Sequence, residues 1–211
     1  MEISVSILGI KENLKEKINI LNNIEGVSYL HLDIMDGKFV TNTNDDIDLL
    51  KTSLVDNKKE LDVHLMVEDV REYVDKYKIL NPKNITFHYE VKDNIDSIIK
   101  YIKDNNINVG LSIKPNTDVS LIKPFLKKID LVLVMTVEPG YGGQVFMDQT
   151  SKINELIKIR NENNYHFKIE VDGGINNETI KKVSNVDISV VGSYITSSDD
   201  YEKQINNIIG E

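Results

Sequence analysis

The sequence of 211 residues contains no cysteine. This absence excludes disulfide bonds, zinc sites built on thiolates, cysteine nucleophiles and iron–sulfur clusters. Long hydrophobic runs are missing as well, because no stretch approaches the roughly 18 apolar residues of a membrane span. The first residues lack the basic segment and the long apolar segment of a secretory signal. We therefore expect a soluble, cytoplasmic protein that has no membrane partner.

Positive charge is also scarce in this chain relative to negative charge. With 25 basic and 34 acidic residues, the formal net charge is −9. Proteins that bind nucleic acid concentrate Lys and Arg against the phosphate backbone, so this balance disfavours DNA or RNA as a partner. Apolar residues make up 40% of the chain, which is ordinary for a globular protein and too much for a disordered one.

What the sequence does contain is one alternation of patterns, repeated eight times. Short apolar runs, mostly β-branched and typical of strands buried on both faces, alternate with amphipathic segments typical of helices. The apolar runs lie at 3–8, 29–35, 61–66, 84–88, 109–113, 131–137, 167–171 and 188–191. The helical patterns lie at 11–24, 47–54, 70–80, 95–104, 119–126, 151–161, 178–183 and 200–209. Helix caps are expected at Asn94, Asp118, Asn177 and Ser198.

This alternation predicts an α/β fold with parallel strands and right-handed crossovers. Two architectures fit the pattern, a closed (β/α)8 barrel and an open doubly wound sheet. No linker, composition break or low-complexity block divides the chain, so we expect one domain over residues 1–211. In a barrel, the residues at the carboxyl ends of the strands surround the active site. The polar residues near those ends are therefore the candidates for chemistry.

Four polar residues interrupt the apolar runs near their carboxyl ends. They are His31 and Asp33 in the second run, His64 in the third and Asp172 directly after the seventh. Strand periodicity places Asp62 on the same face as His64. Each residue taken singly is explained by local hydrogen bonds in a core. Four of them on three strands instead favour a shared cation, because buried carboxylates and imidazoles need a partner and suit Zn²⁺, Fe²⁺ or Mn²⁺.

Glycine-rich turns follow three of the late apolar runs, at 139–144, 172–174 and 192–193. Glycine allows backbone N–H groups to approach an anion closely, and barrels often bind phosphate in the loops after their last strands. Each turn alone is explained by glycine's role in turn formation. Their placement after neighbouring strands predicts a phosphate site in spite of the negative net charge.

Several segments of the chain resemble the ribulose-phosphate 3-epimerase family. They include HLDIMDGKFV from His31, LDVHLMV from Leu61, LVLVMTVEPGYGGQVF from Leu131 and EVDGGIN from Glu170. These segments stand in the family's order and span nearly the whole chain. The resemblance implies a single (β/α)8 TIM barrel of the ribulose-phosphate-binding type. It also implies an enzyme that interconverts D-ribulose 5-phosphate and D-xylulose 5-phosphate.

The resemblance also implies which residues carry this reaction. One divalent ion (Zn, Fe, Mn or Co) would be held by His31, Asp33, His64 and Asp172. Asp33 and Asp172 would transfer protons at C3 on opposite faces of the substrate, through a metal-stabilised cis-enediolate. The ketose phosphate would contact Ser6, His64, Met35, Met66, Met135, Gly140, Tyr141, Gly142, Gly143, Gly173, Gly174, Gly192 and Ser193.

Two loops depart from the family's pattern and leave alternatives open. Thr41 stands where the family usually has proline, and the turn that ends in Lys11 replaces a turn that usually ends in aspartate. A C3 epimerase of a six-carbon ketose phosphate, such as D-allulose 6-phosphate, and a non-catalytic phosphosugar-binding protein both remain. A decarboxylase of the orotidine-phosphate type is disfavoured, because Met35 stands where its lysine is required. His88 is interpreted as a core or pocket-wall residue, and homo-oligomerisation stays open.

Overall fold

Eight parallel strands close into a barrel in the computed structural model, which describes residues 1–210. Closure follows from strand pairing, because β1 (Glu2–Ser6) pairs with both β2 (Tyr29–Asp36) and β9 (Ile188–Val191). A two-residue strand, β3 (Thr43–Asn44), pairs antiparallel with the end of β2. The strands are β1 Glu2–Ser6, β2 Tyr29–Asp36, β3 Thr43–Asn44, β4 Glu60–Met66, β5 Asn84–His88, β6 Asn108–Ile113, β7 Leu131–Met135, β8 Lys168–Asp172 and β9 Ile188–Val191.

The (β/α)8 barrel predicted from the sequence is thereby confirmed, and the open sheet is not what forms. The predicted domain extends to residue 211, the one residue that lies outside the described part of the chain. Among residues 1–210, no helix has both the length and the apolar character needed to cross a membrane.

Helices and helical turns connect the strands around the outside of the barrel. The α-helices are α1 Leu14–Asn22, α2 Ile47–Ser53, α3 Val70–Tyr77, α4 Ile95–Asp104, α5 Thr150–Asn163, α6 Ser193–Thr196 and α7 Tyr201–Ile209. The predicted helix at 119–126 is instead two short 3-10 turns, since Pro124 lacks the N–H that would continue an α-helix. The predicted helix at 178–183 is likewise a 3-10 helix, Thr179–Val183.

Two of the four predicted helix caps form and two do not. Asn94 and Asp118 accept hydrogen bonds from the backbone N–H groups of Ser97 and Ser120. At the last helix, α7, Asp200 rather than Ser198 accepts the capping bond, from the N–H of Lys203. The prediction for Asn177 is also wrong. The side chain of the neighbouring Asn176 instead accepts hydrogen bonds from the backbone N–H groups of Glu178 and Thr179. In both cases the carboxylate or amide that caps the turn is one or two residues from the predicted one.

The main apolar core lies between the strands and the surrounding helices. Leu30, Leu32 and Ile34 of β2 belong to it, so alternate residues of that strand point outwards and the others point into the barrel. The barrel interior is mostly polar on the side of β1, β2, β4 and β5. Its buried polar side chains are Ser4, Ser6, His31, Asp33, Asp62, His64, Thr86, His88, Ser112 and Glu170. The strand period therefore gathers the polar residues of separate strands in one space.

Candidate metal centre and active site

His31, Asp33, His64 and Asp172 converge at the carboxyl-terminal end of the barrel. One ligand atom from each lies within 4.8 Å of the corresponding atoms of the other three. Asp33 Oδ1 lies 3.4 Å from His31 Nε2 and 3.3 Å from His64 Nδ1. Asp172 Oδ2 lies 4.0 Å and 3.8 Å from the same two nitrogen atoms. Ligands of a tetrahedral zinc ion with bonds of about 2.0–2.1 Å stand about 3.3 Å apart, so the spacing suits a divalent cation after small adjustments.

The hydrogen bonding of His31 supports this interpretation. Its Nδ1 lies 2.8 Å from Asp62 Oδ2 and donates to that carboxylate. Its Nε2 is buried and has no hydrogen-bond partner within the described residues. A buried nitrogen without a partner is costly, and a metal ion would satisfy it. Asp62 in turn accepts hydrogen bonds from Ser4 and Asn84, which hold it beneath the ring.

Electrostatics also indicate that the cluster favours a positive charge. Burial lowers the pKa of His31, but the carboxylates of Asp33 and Asp62 outweigh it and raise that pKa well above the usual value. Burial likewise raises the pKa of Asp33, but His31 and His64 together hold it far below its usual range. The cluster therefore stabilises a cation, whether a proton on a ring or a metal between the rings.

Asp172 differs from Asp33 although both are aspartates at the same centre. Burial and the neighbouring Asp33 carboxylate raise the pKa of Asp172 to about 6. Asp33 also accepts a hydrogen bond of 2.7 Å from the Ser6 hydroxyl, which favours its ionised form. The pKa of Asp33 thus lies below, and that of Asp172 above, the usual value for aspartate, as expected of a base and an acid that work together.

A cleft of about 310 Å³ opens above the cluster, a size suited to a small metabolite. Asp33 and Asp172 line it, whereas His31 and His64 are fully buried and do not. All the predicted substrate residues except His64 line the cleft, namely Ser6, Met35, Met66, Met135, Gly140, Tyr141, Gly142, Gly143, Gly173, Gly174, Gly192 and Ser193. The cleft therefore joins the candidate metal centre to the glycine-rich loops.

The two loops that depart from the family's pattern lie at the mouth of this cleft. Lys11, in the loop after β1, is exposed and lines the cleft wall. The loop after β2 is tied to the opposite side, since Asn42 donates a hydrogen bond of 2.8 Å to the carbonyl of Gly140. The side chain of Asn44 in β3 bonds the backbone carbonyl of Asp33. The Asn42 contact fixes the loop after β2 against the glycine-rich loop, and the Asn44 contact fixes β3 against β2.

Sequence reasoning assigned no supporting role to four buried or half-buried residues that hold the cluster. Asp62 and Glu170 lie beneath His31, and these three residues form a second group close enough to share a cation. His88 and Glu90 lie behind His64. The strand period placed Asp62 on the face of His64, and it could likewise have indicated Glu170, which stands two residues before Asp172. His88 was interpreted as a wall or core residue, and only the fold brings it against His64.

The fold and the site together define a class of protein, a (β/α)8-barrel enzyme with a candidate metal centre and a glycine-rich cleft. The model of the family described as "Ribulose-phosphate 3 epimerase family" matches residues 2–196. The chain belongs to this family, and it is an enzyme of the epimerase class of isomerases.

Similarity to known proteins agrees with the family. The chain is 36% identical over 194 residues to "Ribulose-phosphate 3-epimerase" of Helicobacter pylori strain J99, covering 89% of this chain and 88% of the relative. It is also 36% identical over 186 residues to the protein of the same name from Methanocaldococcus jannaschii, covering 87% and 79%. Among solved structures, 3-hexulose-6-phosphate synthase from Salmonella typhimurium has a TM-score of 0.67 at 18% identity, covering 99% and 96%. That last likeness shows the barrel fold alone.

Proposed function

We propose that this enzyme interconverts D-ribulose 5-phosphate and D-xylulose 5-phosphate by inversion at C3. The observation that carries the proposal is the convergence of two carboxylates, Asp33 and Asp172, on one candidate metal centre at the floor of the cleft. Membership of the family supports the choice of reaction. The names of the curated relatives support the choice of a five-carbon ketose phosphate.

Inversion requires that a proton leave one face of C3 and that another arrive on the opposite face. Asp33 projects from β2 and Asp172 from the end of β8, so the two carboxyl groups reach the centre from different sides of the barrel. Towards xylulose 5-phosphate, Asp33 takes the proton and Asp172 returns one, and the roles exchange in the reverse direction. The Ser6 hydroxyl donates a hydrogen bond to Oδ2 of Asp33, and Oδ1 of the same carboxylate faces the candidate metal centre.

The nitrogen and oxygen donors of His31, Asp33, His64 and Asp172 suit Zn, Fe, Mn or Co. When bound, such an ion would act as a Lewis acid for the negative charge that develops on the substrate oxygens. Met35, Met66 and Met135 line the cleft beside the carboxylates. Their thioethers carry no exchangeable proton, so they surround the reacting carbon without competing in proton transfer.

The glycine-rich loops are proposed to bind the phosphate and to cover the sugar. Gly140, Gly143, Gly173 and Gly174 all have positive φ angles, between 65° and 124°. In this conformation backbone N–H groups can turn towards an anion, and no side chain obstructs the approach. Backbone dipoles act locally, so the negative net charge of the chain does not prevent phosphate binding.

A six-carbon ketose phosphate is the second candidate substrate. The observation that favours it is the changed mouth of the cleft, where Lys11 brings a positive charge to the wall. The metal-ligand set and the acid–base pair would be the same, because the reacting carbon and its ketone do not change. Only the part of the cleft that receives the far end of the substrate would differ.

Turnover of matched substrates tests both candidates. The enzyme loaded with a divalent ion is given D-ribulose 5-phosphate or D-allulose 6-phosphate in deuterated water, and NMR follows product and deuterium at C3. We expect a higher kcat/KM for the five-carbon substrate. A higher value for the six-carbon substrate would replace the first candidate by the second. Binding of either substrate without deuterium exchange would identify a non-catalytic sugar-phosphate-binding protein.

A further inference from the structure

A buried line of polar groups leads from His64 away from the candidate metal centre. The Nε2 atoms of His64 and His88 lie 2.9 Å apart. On the far side of its ring, His88 Nδ1 lies 3.2 Å from Glu90 Oε2. Both histidine rings are fully buried, and His88 stands at the end of β5, the strand next to β4. Neither His88 nor Glu90 has a part in the proposed proton transfers.

The hydrogen bonds along this line determine which ring nitrogens of His64 and His88 carry a proton. Two ring nitrogens at 2.9 Å need one donor and one acceptor. His64 turns Nδ1 to the cluster, and a metal ligand must present a lone pair there, so the proton of its neutral ring is on Nε2. His88 must then accept at Nε2 and carry its own proton on Nδ1. That proton points to Glu90, a carboxylate that can only accept.

The second oxygen of Glu90 explains why this carboxylate keeps its orientation. Oε1 accepts a hydrogen bond of 2.9 Å from the backbone N–H of Lys114 and another from the Thr117 hydroxyl. Both partners belong to the loop after β6, on the side of Glu90 away from His88. The carboxylate is therefore held between two donors of one loop and the ring of His88.

The ring of His88 is also covered from above. The Phe39 ring packs on it with centroids 4.9 Å apart, and the ammonium group of Lys114 lies 4.3 Å from the centre of the Phe39 ring. Phe39 belongs to the loop after β2, at the mouth of the cleft. This cover limits the access of water that could replace the hydrogen bonds of the line.

We propose that His88 and Glu90 are positioning residues that fix the tautomer of His64 and turn its Nδ1 lone pair to the metal. The inference deepens the proposed function and depends on its metal centre. Partners of metal-bound histidines commonly orient the ring in this way, and their loss weakens metal binding about 10- to 100-fold. A carboxylate, Asp62, orients the ring of His31 by a direct hydrogen bond, whereas the ring of His64 is oriented through a second imidazole, that of His88.

The substitution Glu90→Gln tests the proposal, because its effect on the line can be worked out. The amide oxygen of glutamine accepts the hydrogen bonds from the Lys114 N–H and the Thr117 hydroxyl, so the NH₂ group of the same amide faces His88. His88 then accepts at Nδ1 and carries its proton on Nε2, against the N–H of His64. His64 can relieve this conflict only by moving its own proton to Nδ1, the atom that is needed for the metal.

The experiment compares Co²⁺ and Zn²⁺ affinity of the wild-type protein and Glu90→Gln by competition with a chelating dye. We expect Glu90→Gln to bind about 10- to 100-fold more weakly. Glu72→Gln, the same change at an exposed position of α3, is the matched control and should bind as wild type does. Side-chain ¹⁵N NMR of the zinc-loaded wild type should show His64 protonated at Nε2 and His88 at Nδ1.

A purely structural role of Glu90 predicts a lower Tm with no change in the His88 tautomer, and that result overturns the proposal. Unchanged metal affinity in Glu90→Gln, a wild-type His88 protonated at Nε2, or a wild type that binds neither ion also overturns it. If Glu90→Gln does not fold, the wild-type spectrum alone decides. If Glu90→Gln binds metal more weakly but the wild type has no turnover, this inference is supported and the proposed function is contradicted. If the wild type has full turnover but Glu90→Gln binds metal as the wild type does, the proposed function is supported and this inference is overturned.

Discussion

At the scale of the residue, the environment gives identical side chains different properties. Asp33 lies between two imidazoles and a hydroxyl, which favour its ionised form. Asp172 is half-buried and lies beside the same imidazoles, but removal from water and the negative charge of Asp33 together raise its pKa to about 6. The proposed assignment of Asp33 as base and Asp172 as acid therefore rests on their neighbours rather than on their chemical type.

Replacing Asp172 by asparagine should abolish turnover and preserve the fold. The amide has nearly the same shape, but it cannot give or take the proton, and acid–base groups contribute about 10²–10⁴-fold to rate. Turnover of D-ribulose 5-phosphate and far-UV circular dichroism provide the two measurements. Asp199→Asn, at an exposed position before α7, is the control and should be fully active. Undiminished turnover in Asp172→Asn would remove this residue from the mechanism.

A second residue-scale prediction concerns the tyrosines Tyr73 and Tyr77 of α3. The Tyr77 hydroxyl is buried and has no partner within the described residues, whereas the Tyr73 hydroxyl donates to Asp45. An unpaired buried hydroxyl is costly, so Tyr77→Phe should leave the free energy of unfolding unchanged or raise it by about 1 kcal/mol. Tyr73→Phe loses a hydrogen bond and should lower it by about 0.5–1 kcal/mol. Urea titrations measure both, and a clear loss of stability in Tyr77→Phe would contradict the prediction.

At the scale of the element, the sequence predicts the strands better than the helices. Buried parallel strands are continuous apolar runs, and each predicted run overlaps a barrel strand. The short strand β3 was missed, because its residues, Thr43 and Asn44, are exposed and polar and pair only with the end of β2. The segment at 119–126 forms two 3-10 turns because Pro124 interrupts α-helical hydrogen bonding, and the segment at 178–183 forms one short 3-10 helix.

The candidate site shows the same limit. Residues on barrel strands, such as His31 and His64, could be predicted because strand periodicity alone tells which face they share. Glu90 lies beyond the end of β5, and its contact with the loop after β6 depends on how two loops fold against each other. No periodicity in the sequence reports such a contact. The line from His64 to Glu90 therefore required the structure.

The glycine-rich elements support a prediction about loop packing. Gly174 has a φ of 65°, and a Cβ there would lie 2.6 Å from the backbone nitrogen of Phe146. Gly143 has a φ of 75°, but a Cβ there would meet no atom within 4 Å. Both alanine substitutions carry the cost of a left-handed conformation, about 1–2 kcal/mol. Gly174→Ala adds a clash with backbone.

We expect Gly174→Ala to lower the free energy of unfolding by about 1–3 kcal/mol more than Gly143→Ala does. Thermal and urea unfolding of the two variants measure this difference. Equal losses would mean that the loop at Phe146 moves aside freely. In that case the packing of the two glycine-rich loops would not define the shape of the cleft.

At the scale of the whole molecule, the candidate metal centre and the main core are separate. The core lies between strands and helices, whereas the four candidate ligands lie inside the barrel at one end. Removing divalent ions with a chelator should therefore abolish turnover and leave the barrel folded. Circular dichroism should retain the native helix signal, and added Zn²⁺, Mn²⁺, Fe²⁺ or Co²⁺ should restore activity. Full turnover in an ion-free preparation would refute the Lewis-acid role.

Closure of the barrel by β9 against β1 also affects when the candidate metal site can form during synthesis. These strands come from opposite ends of the chain, and Asp172 follows His31 by about two thirds of its length. While the ribosome makes the protein, neither the last ligand nor the closing strand exists until most residues have been joined. In the proposed metal centre, the four candidate ligands are therefore all present only late in synthesis. If the proposed metal centre is correct, protein that folds without the ion should gain activity when the metal is supplied later, without new synthesis.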